Sequence, residues 1–318
     1  MKVLVTGSNG QLGRCLQDRA RWSSSEFTQY YFCNRQILDV TNDKQLEQVF
    51  DRFKPDVVIN CAAYTDVDGA EELKNMHDAT VLNSNVPMML VQHCRRHKAV
   101  LIHFSTDYVF EGTAHVPYTE NEPNEAFFPH TTYGKSKLLG DFPVLSYERG
   151  IVIRTSWLYS EYGKNLYRTF IERIKTEHTI FALCNRRSCP TYARDLADFV
   201  ISVFIENKKA FSKESYGVFN YCNEGIASIY DFAAAIEALH KSYAMNYEPM
   251  RKDPMTFDFT FGYKSNVAAV TEYEEKAQRP NFSALDCSKV RNVFGVAPRS
   301  WIAALINCMQ NDKAIKLR

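Results

Sequence analysis

The start of the chain places a glycine-rich turn directly after an apolar strand. Residues 2–6 form the apolar run, and glycine follows at Gly7, Gly10 and Gly13 as a helical pattern begins at Gln11. Glycine lets the backbone turn tightly and approach a phosphate, and the third glycine lets the helix lie close to the strand. The helix N-terminus offers unpaired N–H groups and partial positive charge. These features predict a dinucleotide pyrophosphate site at the first strand of an α/β sheet.

Strand-like and helix-like segments alternate through the first half of the chain. The predicted strands are short apolar runs at residues 2–6, 30–33, 56–60, 100–105 and 151–154. The predicted helices lie at residues 11–21, 43–53, 76–97 and 133–144. Apolar strands without polar alternation are typical of a parallel sheet covered on both faces. The order therefore predicts a doubly wound parallel α/β sheet.

The pattern changes after about Trp157, where helical segments dominate. We predict helices at residues 164–175, 192–206 and 228–240, and an irregular stretch with several aromatics at 248–279. We expect a dinucleotide-binding domain at residues 1–156 and, mainly at residues 157–318, a smaller substrate-binding cap domain. The helix near 192–206 is expected to return and pack on the sheet.

Composition argues against several classes of protein. The 38 basic and 37 acidic side chains leave a formal net charge of +1, which gives no electrostatic footprint for nucleic acid. No apolar segment approaches the roughly 20 residues of a membrane helix, and no leader pattern precedes the first strand. The nine cysteines include no CxxC pair. We expect a cytoplasmic protein with reduced cysteines that binds neither nucleic acid nor membrane.

The residues after the second and third strands bear on the choice of cofactor. A carboxylate after the second strand would bind the ribose 2′-hydroxyl of NAD, whereas an arginine accommodates a 2′-phosphate. Here the strand runs into Arg35, which favours NADPH but leaves NADH open, since Arg35 is equally compatible with a solvated charge. Asp39 and Val40 either flank the adenine or are a loop acid and a core residue. We predict cofactor binding by Gly7, Asn9, Gly10, Gln11, Leu12, Gly13, Arg35, Asp39, Val40, Ala62, Ala63 and Tyr64.

Tyr133 and Lys137 lie four residues apart in a predicted helix, on one face, whereas Lys135 points elsewhere. A free tyrosine has a pKa near ~10, and a neighbouring cation is expected to lower it. The pair suits a proton donor to a ketone oxygen. At the end of the fourth strand, Ser105 or Thr106 offers a hydroxyl that would orient the carbonyl. The alternative is that this hydroxyl only caps the strand.

The chain resembles the dTDP-4-dehydrorhamnose reductases of the extended short-chain dehydrogenase/reductase group, which have a Rossmann-like fold. The matching stretches run nearly end to end: VTGSNGQLG (5–13), PDVVINCAAYTDVDGAE (55–71), STDYVFEGT (105–113), PYTENEPN (117–124), YGKSKLLGD (133–141), RTSWLY (154–159), GKN (163–165), PTYARDLAD (190–198) and RPNFSALDCSK (279–289). Together they are much more specific than any one motif.

The resemblance implies an active triad of Thr106, Tyr133 and Lys137, with Lys137 also holding the nicotinamide ribose. The implied reaction is reduction of dTDP-6-deoxy-L-lyxo-4-hexulose at C4 to dTDP-L-rhamnose, with Tyr133 protonating the alkoxide. Asn83 would lie near the cofactor. The residues implied to bind the sugar nucleotide are Asp107, Trp157, Asn165 and Arg279. A guanidinium fork suits a diphosphate.

One stretch departs from the family pattern, and several alternatives stay open. Where the family reads D-Q-x-G-S-P-T, residues 185–191 read Asn-Arg-Arg-Ser-Cys-Pro-Thr, so the nucleotide sugar itself is in question. One alternative is an epimerase or dehydratase of the same group. Another is a non-catalytic NADP-binding subunit resembling the methionine adenosyltransferase beta subunit. Some reductases of the family are associated with Mg²⁺, but no carboxylate cluster here indicates a metal site. Both a monomer and a homodimer are compatible with the sequence.

Overall fold

A computed structural model of the chain describes residues 1–23, 27–207, 211–244 and 265–315. Its central sheet has six strands, all parallel, in the order β10-β5-β4-β3-β1-β2. The strands are β1 Lys2–Thr6, β2 Gln29–Cys33, β3 Val57–Asn60, β4 Val100–Thr106, β5 Gly150–Thr155, β6 Leu158–Tyr159, β7 Ile180–Leu183, β8 Arg187–Ser188, β9 Thr191–Tyr192, β10 Gly217–Asn220, β11 Ala227–Ser228 and β12 Val267–Val270. The predicted doubly wound α/β fold is confirmed.

Helices separate the strands of the sheet and fill most of the second half. They are α1 Gln11–Ala20, α2 Asp43–Phe53, α3 Leu73–Thr80, α4 Val86–His97, α5 Thr132–Leu145, α6 Leu166–Thr176, α7 Ala193–Val200, α8 Ile229–Ala244, α9 Ser288–Phe294 and α10 Trp301–Asn311. Single π-helical turns, Val81–Asn85 and Ile201–Ile205, follow α3 and α7. No helix in the described ranges is long and apolar enough to cross a membrane.

Both faces of the sheet are buried. Successive side chains of a strand point to opposite faces and pack in two different hydrophobic cores. On β1, Val3 and Val5 pack with α1 and α7, while Leu4 packs with α2 and α4. Both α7 and β10 come from the second half of the chain and complete the sheet and its covering layer. The strand β10 and the helices α9 and α10 were not predicted. The domain boundary after residue 156 stays a prediction.

A separate core in the second half joins α6, α8 and α10. Its large buried side chains include Tyr159, Tyr167, Phe232 and Leu305. Of the stretch predicted to be irregular, residues 248–264 lie outside the described residues. Within 265–279 the structure forms β12, which pairs in parallel with β7, so the prediction is wrong for those four residues.

Candidate active site

The turn after β1 is so tight that two of its glycines leave no room for a side chain. Gly7 has φ of +63°, and a Cβ there would lie 2.6 Å from the backbone nitrogen of Ala62. A Cβ on Gly13 would lie 2.6 Å from the carbonyl oxygen of Gly7 and from Cα of Ser8. Contacts this short permit only glycine. The first amides of α1 have no acceptor within the helix, so this turn fits a pyrophosphate group.

The other predicted residues of this turn face in different directions. Asn9 and Gly10 are exposed, whereas Leu12 is buried in the core between α1 and the sheet. The Nε2 of Gln11 donates to the carbonyl oxygen of Leu158 at 3.2 Å. The side chain of Gln11 therefore points toward β6, while its backbone N–H lies in the first turn of α1.

The end of β2 presents one exposed guanidinium. Arg35 is exposed in the turn that follows the strand. The carboxylate of Asp39 accepts hydrogen bonds from the Thr41 hydroxyl (2.7 Å) and backbone N–H (3.0 Å). These bonds, with the charge of Arg35, lower the pKa of Asp39. Val40 is buried on the α2 and α4 side of the sheet, so Arg35 is the charged group best placed to meet a ligand here.

The loop after β3, which contains Ala62 and Ala63, is held in place by Asn83. Asn83 is fully buried in the π-helical turn between α3 and α4, a feature frequent at functional sites. Its Oδ1 accepts from the Tyr64 backbone nitrogen (2.9 Å), and its Nδ2 donates to the Tyr64 carbonyl (3.0 Å) and to Ser136 Oγ (3.0 Å). These bonds occupy the amide, so Asn83 fixes the shape of the loop after β3.

Helix α5 brings Tyr133 against the end of β4. The Oγ1 of Thr131 caps the helix by accepting from the Gly134 backbone nitrogen at 2.9 Å. A Cβ on Gly134 would overlap the carbonyl oxygen of Tyr108, so this glycine lets the helix start close to the segment after β4. The Tyr133 ring meets the Tyr108 ring edge-on, with centroids 6.0 Å apart.

Lys137 lies one turn further along α5, buried beneath the site. Its Nζ donates to the carbonyl oxygen of Phe104 at 2.5 Å and lies 3.2 Å from Nε2 of His103. Burial lowers the pKa of Lys137 to about 8. Lys135 is exposed, as the helical spacing predicted. His103 was not predicted as a site residue, because it lies within an otherwise apolar strand.

The pKa of Tyr133 is shifted in the direction opposite to the one predicted from the sequence. Burial raises the pKa of Tyr133 to about 12, and a hydrogen bond with Thr106 offsets part of that rise. The expected lowering by the neighbouring cation is therefore wrong for this structure, because desolvation of the phenol is the largest effect on its pKa and Thr106, not Lys137, offsets part of it. A phenol with this pKa stays protonated at neutral pH and can donate its proton.

The carboxylate of Asp107 is surrounded by hydroxyl groups. Thr106 Oγ1 donates to its Oδ1 at 3.1 Å, while Ser188 Oγ (3.1 Å) and Ser283 Oγ (2.5 Å) donate to its Oδ2. Burial raises the pKa of Asp107 to about 6 despite these bonds. Asp107 thus orients the Thr106 hydroxyl, and the two serines were missed because they lie far away in the sequence.

Trp157 and Asn165, two of the residues implied to bind substrate, are each positioned by the local backbone structure. Trp157 is half-buried just after β5, with φ of +40°, which is uncommon for a residue with a side chain. Asn165 is the N-cap of α6, accepting from the Arg168 backbone nitrogen at 3.0 Å. Its Nδ2 lies 3.2 Å from Oε1 of Gln11. Asn165 therefore joins the second half to the glycine turn.

Arg279 is held in a network of ion pairs. Its guanidinium makes two bonds to Asp68, of 2.9 and 2.7 Å, and lies 3.3 Å from Glu275. Arg186, from the stretch that departs from the family pattern, is buried and makes two bonds to Glu275 of 2.7 and 2.6 Å. Arg187 is exposed. Of the two extra arginines, Arg186 thus supports the segment that carries Arg279.

Two further observations bear on the chemistry of the site. Buried Asp141 lies 3.7 Å from buried Arg154, close to Lys137, and this pair was not predicted. Across the described ranges, no group of three or more His, Cys, Asp or Glu side chains could hold a metal ion.

Comparisons with known proteins find related chains along almost the whole length of this one. The family model described as RmlD substrate binding domain matches residues 1–314. A dTDP-4-dehydrorhamnose reductase from Aggregatibacter actinomycetemcomitans is 32% identical, covering 96% of this chain and 97% of the relative. A probable dTDP-4,6-dihydroxy-2-methyloxan-3-one 4-ketoreductase from Streptomyces antibioticus is 33% identical, covering 96% and 93%.

A solved structure agrees over almost the whole length. The dTDP-4-dehydrorhamnose reductase from Bacillus anthracis, determined in complex with NADP, superimposes with a TM-score of 0.81 at 31% identity, covering 97% of this chain and 98% of that one. The glycine turn and the Tyr133–Lys137 helix therefore lie in a fold that holds this class of cofactor in a relative. The chain belongs to the RmlD substrate binding domain family.

Proposed function

We propose that this chain is a reductase that converts dTDP-6-deoxy-L-lyxo-4-hexulose to dTDP-L-rhamnose with NADPH. The observation that carries the proposal is the convergence of Thr106, Tyr133 and Lys137 beside the glycine turn. All of them lie at the carboxyl ends of the parallel strands or on the helix packed there, where open α/β sheets bind ligands. The names of the relatives support the substrate class.

The side chains divide the reaction between them. The nicotinamide supplies the hydride when it is bound. Tyr133, protonated because its pKa is about 12, donates its proton to the ketone oxygen. Thr106 Oγ1 is held by Asp107 and by the Tyr108 backbone nitrogen at 3.2 Å, so it would orient the ketone oxygen beside the phenol. Lys137 provides positive charge below the reacting groups as the tyrosinate forms.

The preference for NADPH depends on Arg35. This exposed guanidinium follows β2, where the 2′-position of the adenine ribose is recognised in such folds. Asp39, the nearby carboxylate, is bonded to Thr41 and so competes poorly for a ribose hydroxyl. We infer that NADPH is used in preference to NADH.

The sugar nucleotide would lie between the sheet edge and the second half of the chain. Arg279 is the proposed diphosphate ligand, with Trp157 beside the sugar. The proposed cap is formed mainly by residues 157–318, of which α7 and β10 belong to the sheet and its covering layer. For Arg279 to bind a diphosphate with both ends of its fork, it must exchange its bonds to Asp68. Substrate binding therefore involves a change of partner at this residue.

The test measures absorbance of NADPH, and separately NADH, with the dTDP-4-keto sugar generated in place by the upstream dehydratase and epimerase. We expect stoichiometric oxidation of NADPH. Tyr133→Phe should lower kcat at least ~100-fold with unchanged cofactor binding, because the proton donor is lost. Tyr108→Phe is the matched variant, since its ring lies 6.0 Å from that of Tyr133. A larger loss in Tyr108→Phe would reassign the donor.

The alternatives give different outcomes in the same experiment. An epimerase or dehydratase would change the sugar without net oxidation of NADPH. A regulatory subunit would bind NADP but leave substrate and cofactor unchanged. Oxidation with a different 4-keto sugar alone would keep the reductase and replace the substrate.

A further inference from the structure

Three buried polar side chains form a row across the sheet that ends at Lys137. Thr6, Asn60 and His103 are register partners on the adjacent strands β1, β3 and β4. Each is no more than 1% exposed, and Lys137 is 2% exposed. Buried polar groups of this kind must satisfy one another, so their hydrogen-bond directions are constrained.

The orientation of Asn60 is fixed by its two neighbours on one side. Its Oδ1 accepts from Thr6 Oγ1 at 2.7 Å and from the Ala62 backbone nitrogen at 3.3 Å. A backbone N–H can only donate, so the atom that faces Ala62 is the carbonyl oxygen of the amide. The Nδ2 of Asn60 then faces Nδ1 of His103 at 3.1 Å and donates to it.

This donation decides which nitrogen of His103 carries the proton. A neutral imidazole has one N–H, and a ring that accepts at Nδ1 is protonated at Nε2. Burial and the charge of Lys137 lower the pKa of His103 well below its usual value, so the ring is neutral. Nε2 lies 3.2 Å from Lys137 Nζ. An N–H therefore faces the lysine, which can accept that bond only as the unprotonated amine.

We propose that Asn60 holds His103 as the Nε2–H tautomer, and that His103 is thereby a positioning residue which favours release of the proton from Lys137. The inference rests on the proposed function and extends the role of Lys137 from providing positive charge to supplying a proton. After Tyr133 has protonated the substrate, the ammonium of Lys137 returns a proton to the tyrosinate. The resulting amine accepts the His103 N–H and regains a proton from water before the next cycle.

Other ionisable groups also act on Lys137. Asp141 on α5 and Cys61 after β3 both favour its charged form, while burial opposes that form. Tyr133 lies one turn earlier on the same helix. A substitution at Asn60 leaves Asp141, Cys61 and Tyr133 unchanged. Its effect on Lys137 can therefore be traced through His103.

The first test reads the tautomer directly, by ¹⁵N NMR of the histidine rings. We expect His103 to be protonated at Nε2 in the wild type. Asn60→Asp keeps the acceptor for Thr6 and Ala62 but presents a second acceptor to the ring, so it should move the proton to Nδ1. The spectrum of His103→Phe identifies the signals of this ring among the eight histidines. A wild-type ring protonated at Nδ1 would overturn the proposal, whether or not the chain reduces the proposed sugar.

The second test is the alkaline limb of the pH profile of kcat/KM. In Asn60→Asp, His103 presents a lone pair to the ammonium, so the limb should move up by about one pH unit. In a His103→Phe background the same substitution should leave the limb in place. An equal shift in both backgrounds would mean that the new carboxylate acts directly on Lys137, which refutes the role of His103. No shift in either background refutes it as well.

Discussion

The glycine turn after β1 and the segment at residues 275–283 border the same site but are held by different interactions. The turn depends on backbone contacts, with Cβ positions at Gly7 and Gly13 that would lie 2.6 Å from backbone atoms. The segment depends on side chains, through the Arg279–Asp68 and Arg186–Glu275 ion pairs and the Ser283–Asp107 hydrogen bond. The close backbone contacts at Gly7 and Gly13 cannot be rearranged without overlap between atoms, whereas the side chains of an ion pair can exchange partners.

The difference between backbone contacts and ion pairs matches the ligand proposed for each side of the site. A dinucleotide pyrophosphate is the same in every cycle, so a rigid backbone turn can be complementary to it. On the other side, Arg279 is already paired with Asp68, so a sugar nucleotide that binds there must replace that partner, and an ion pair allows the exchange. Substitutions in the turn and in the segment at residues 275–283 therefore distinguish rigid from exchangeable binding.

Gly7→Ala should give the largest effect. Its Cβ would overlap the backbone of Cys61 and Ala62 at a φ of +63°. We expect a loss of about 1–3 kcal/mol in the free energy of unfolding and a loss of at least about tenfold in NADPH affinity. Calorimetric titration and urea unfolding measure both quantities.

Gly295→Ala is the matched control for that substitution. Gly295 has φ of +67°, but nothing lies within 4 Å of its Cβ position, so it reports the backbone strain alone. It should lose about 1–2 kcal/mol of stability and keep its NADPH affinity. Equal effects of the two substitutions on affinity would show that the contact at the turn is irrelevant to the cofactor.

Asp68→Asn should have a smaller effect, on the substrate side. The amide weakens the competition for the fork of Arg279, so KM for the sugar nucleotide should fall several-fold, while Arg279→Lys should raise it about tenfold. Glu72→Gln is the control, because it removes the exposed Lys276–Glu72 pair on the same segment without touching Arg279. A KM that rises in Asp68→Asn would mean that Arg279 holds the segment and does not bind substrate.

The same contrast explains how much of the site the sequence predicted. The glycine turn and the Tyr133–Lys137 pair could be predicted because residues close in sequence have fixed relative positions in a turn or a helix. Their partners could not be predicted in this way: Ser188 and Ser283 reach Asp107 from 81 and 176 residues away, and His103 looks like any residue of a buried strand. The strand β10 was missed because its four residues follow helical segments and join the sheet only through tertiary pairing with β5. Burial, which a sequence does not display, also reversed the expected direction of the Tyr133 pKa shift.

The smallest predicted effect is a dependence of stability on pH at Asp107. Its folded pKa of about 6 lies above the unfolded value of roughly 4, so the folded chain binds a proton between these values that the unfolded chain does not. This group therefore stabilises the fold increasingly as pH falls through 6, and its charged form opposes folding at neutral pH. Between pH 7 and 5, the free energy of unfolding of the wild type should rise by about 1 kcal/mol relative to Asp107→Asn. Urea titrations at the two pH values measure it.

Asp39→Asn provides the comparison from the dinucleotide side. Its hydrogen bonds with Thr41 lower the pKa of Asp39, so the stability it contributes is present above its unfolded value of roughly 4 and is lost only at lower pH. The wild type and Asp39→Asn should therefore keep a constant difference between pH 7 and 5. If Asp107→Asn behaves in the same way, the carboxylate beneath Thr106 is hydrated and titrates normally. Ser188 and Ser283 would then not shield this carboxylate from water beneath Thr106, and the contrast between the two sides of the site would rest on the ion pairs alone.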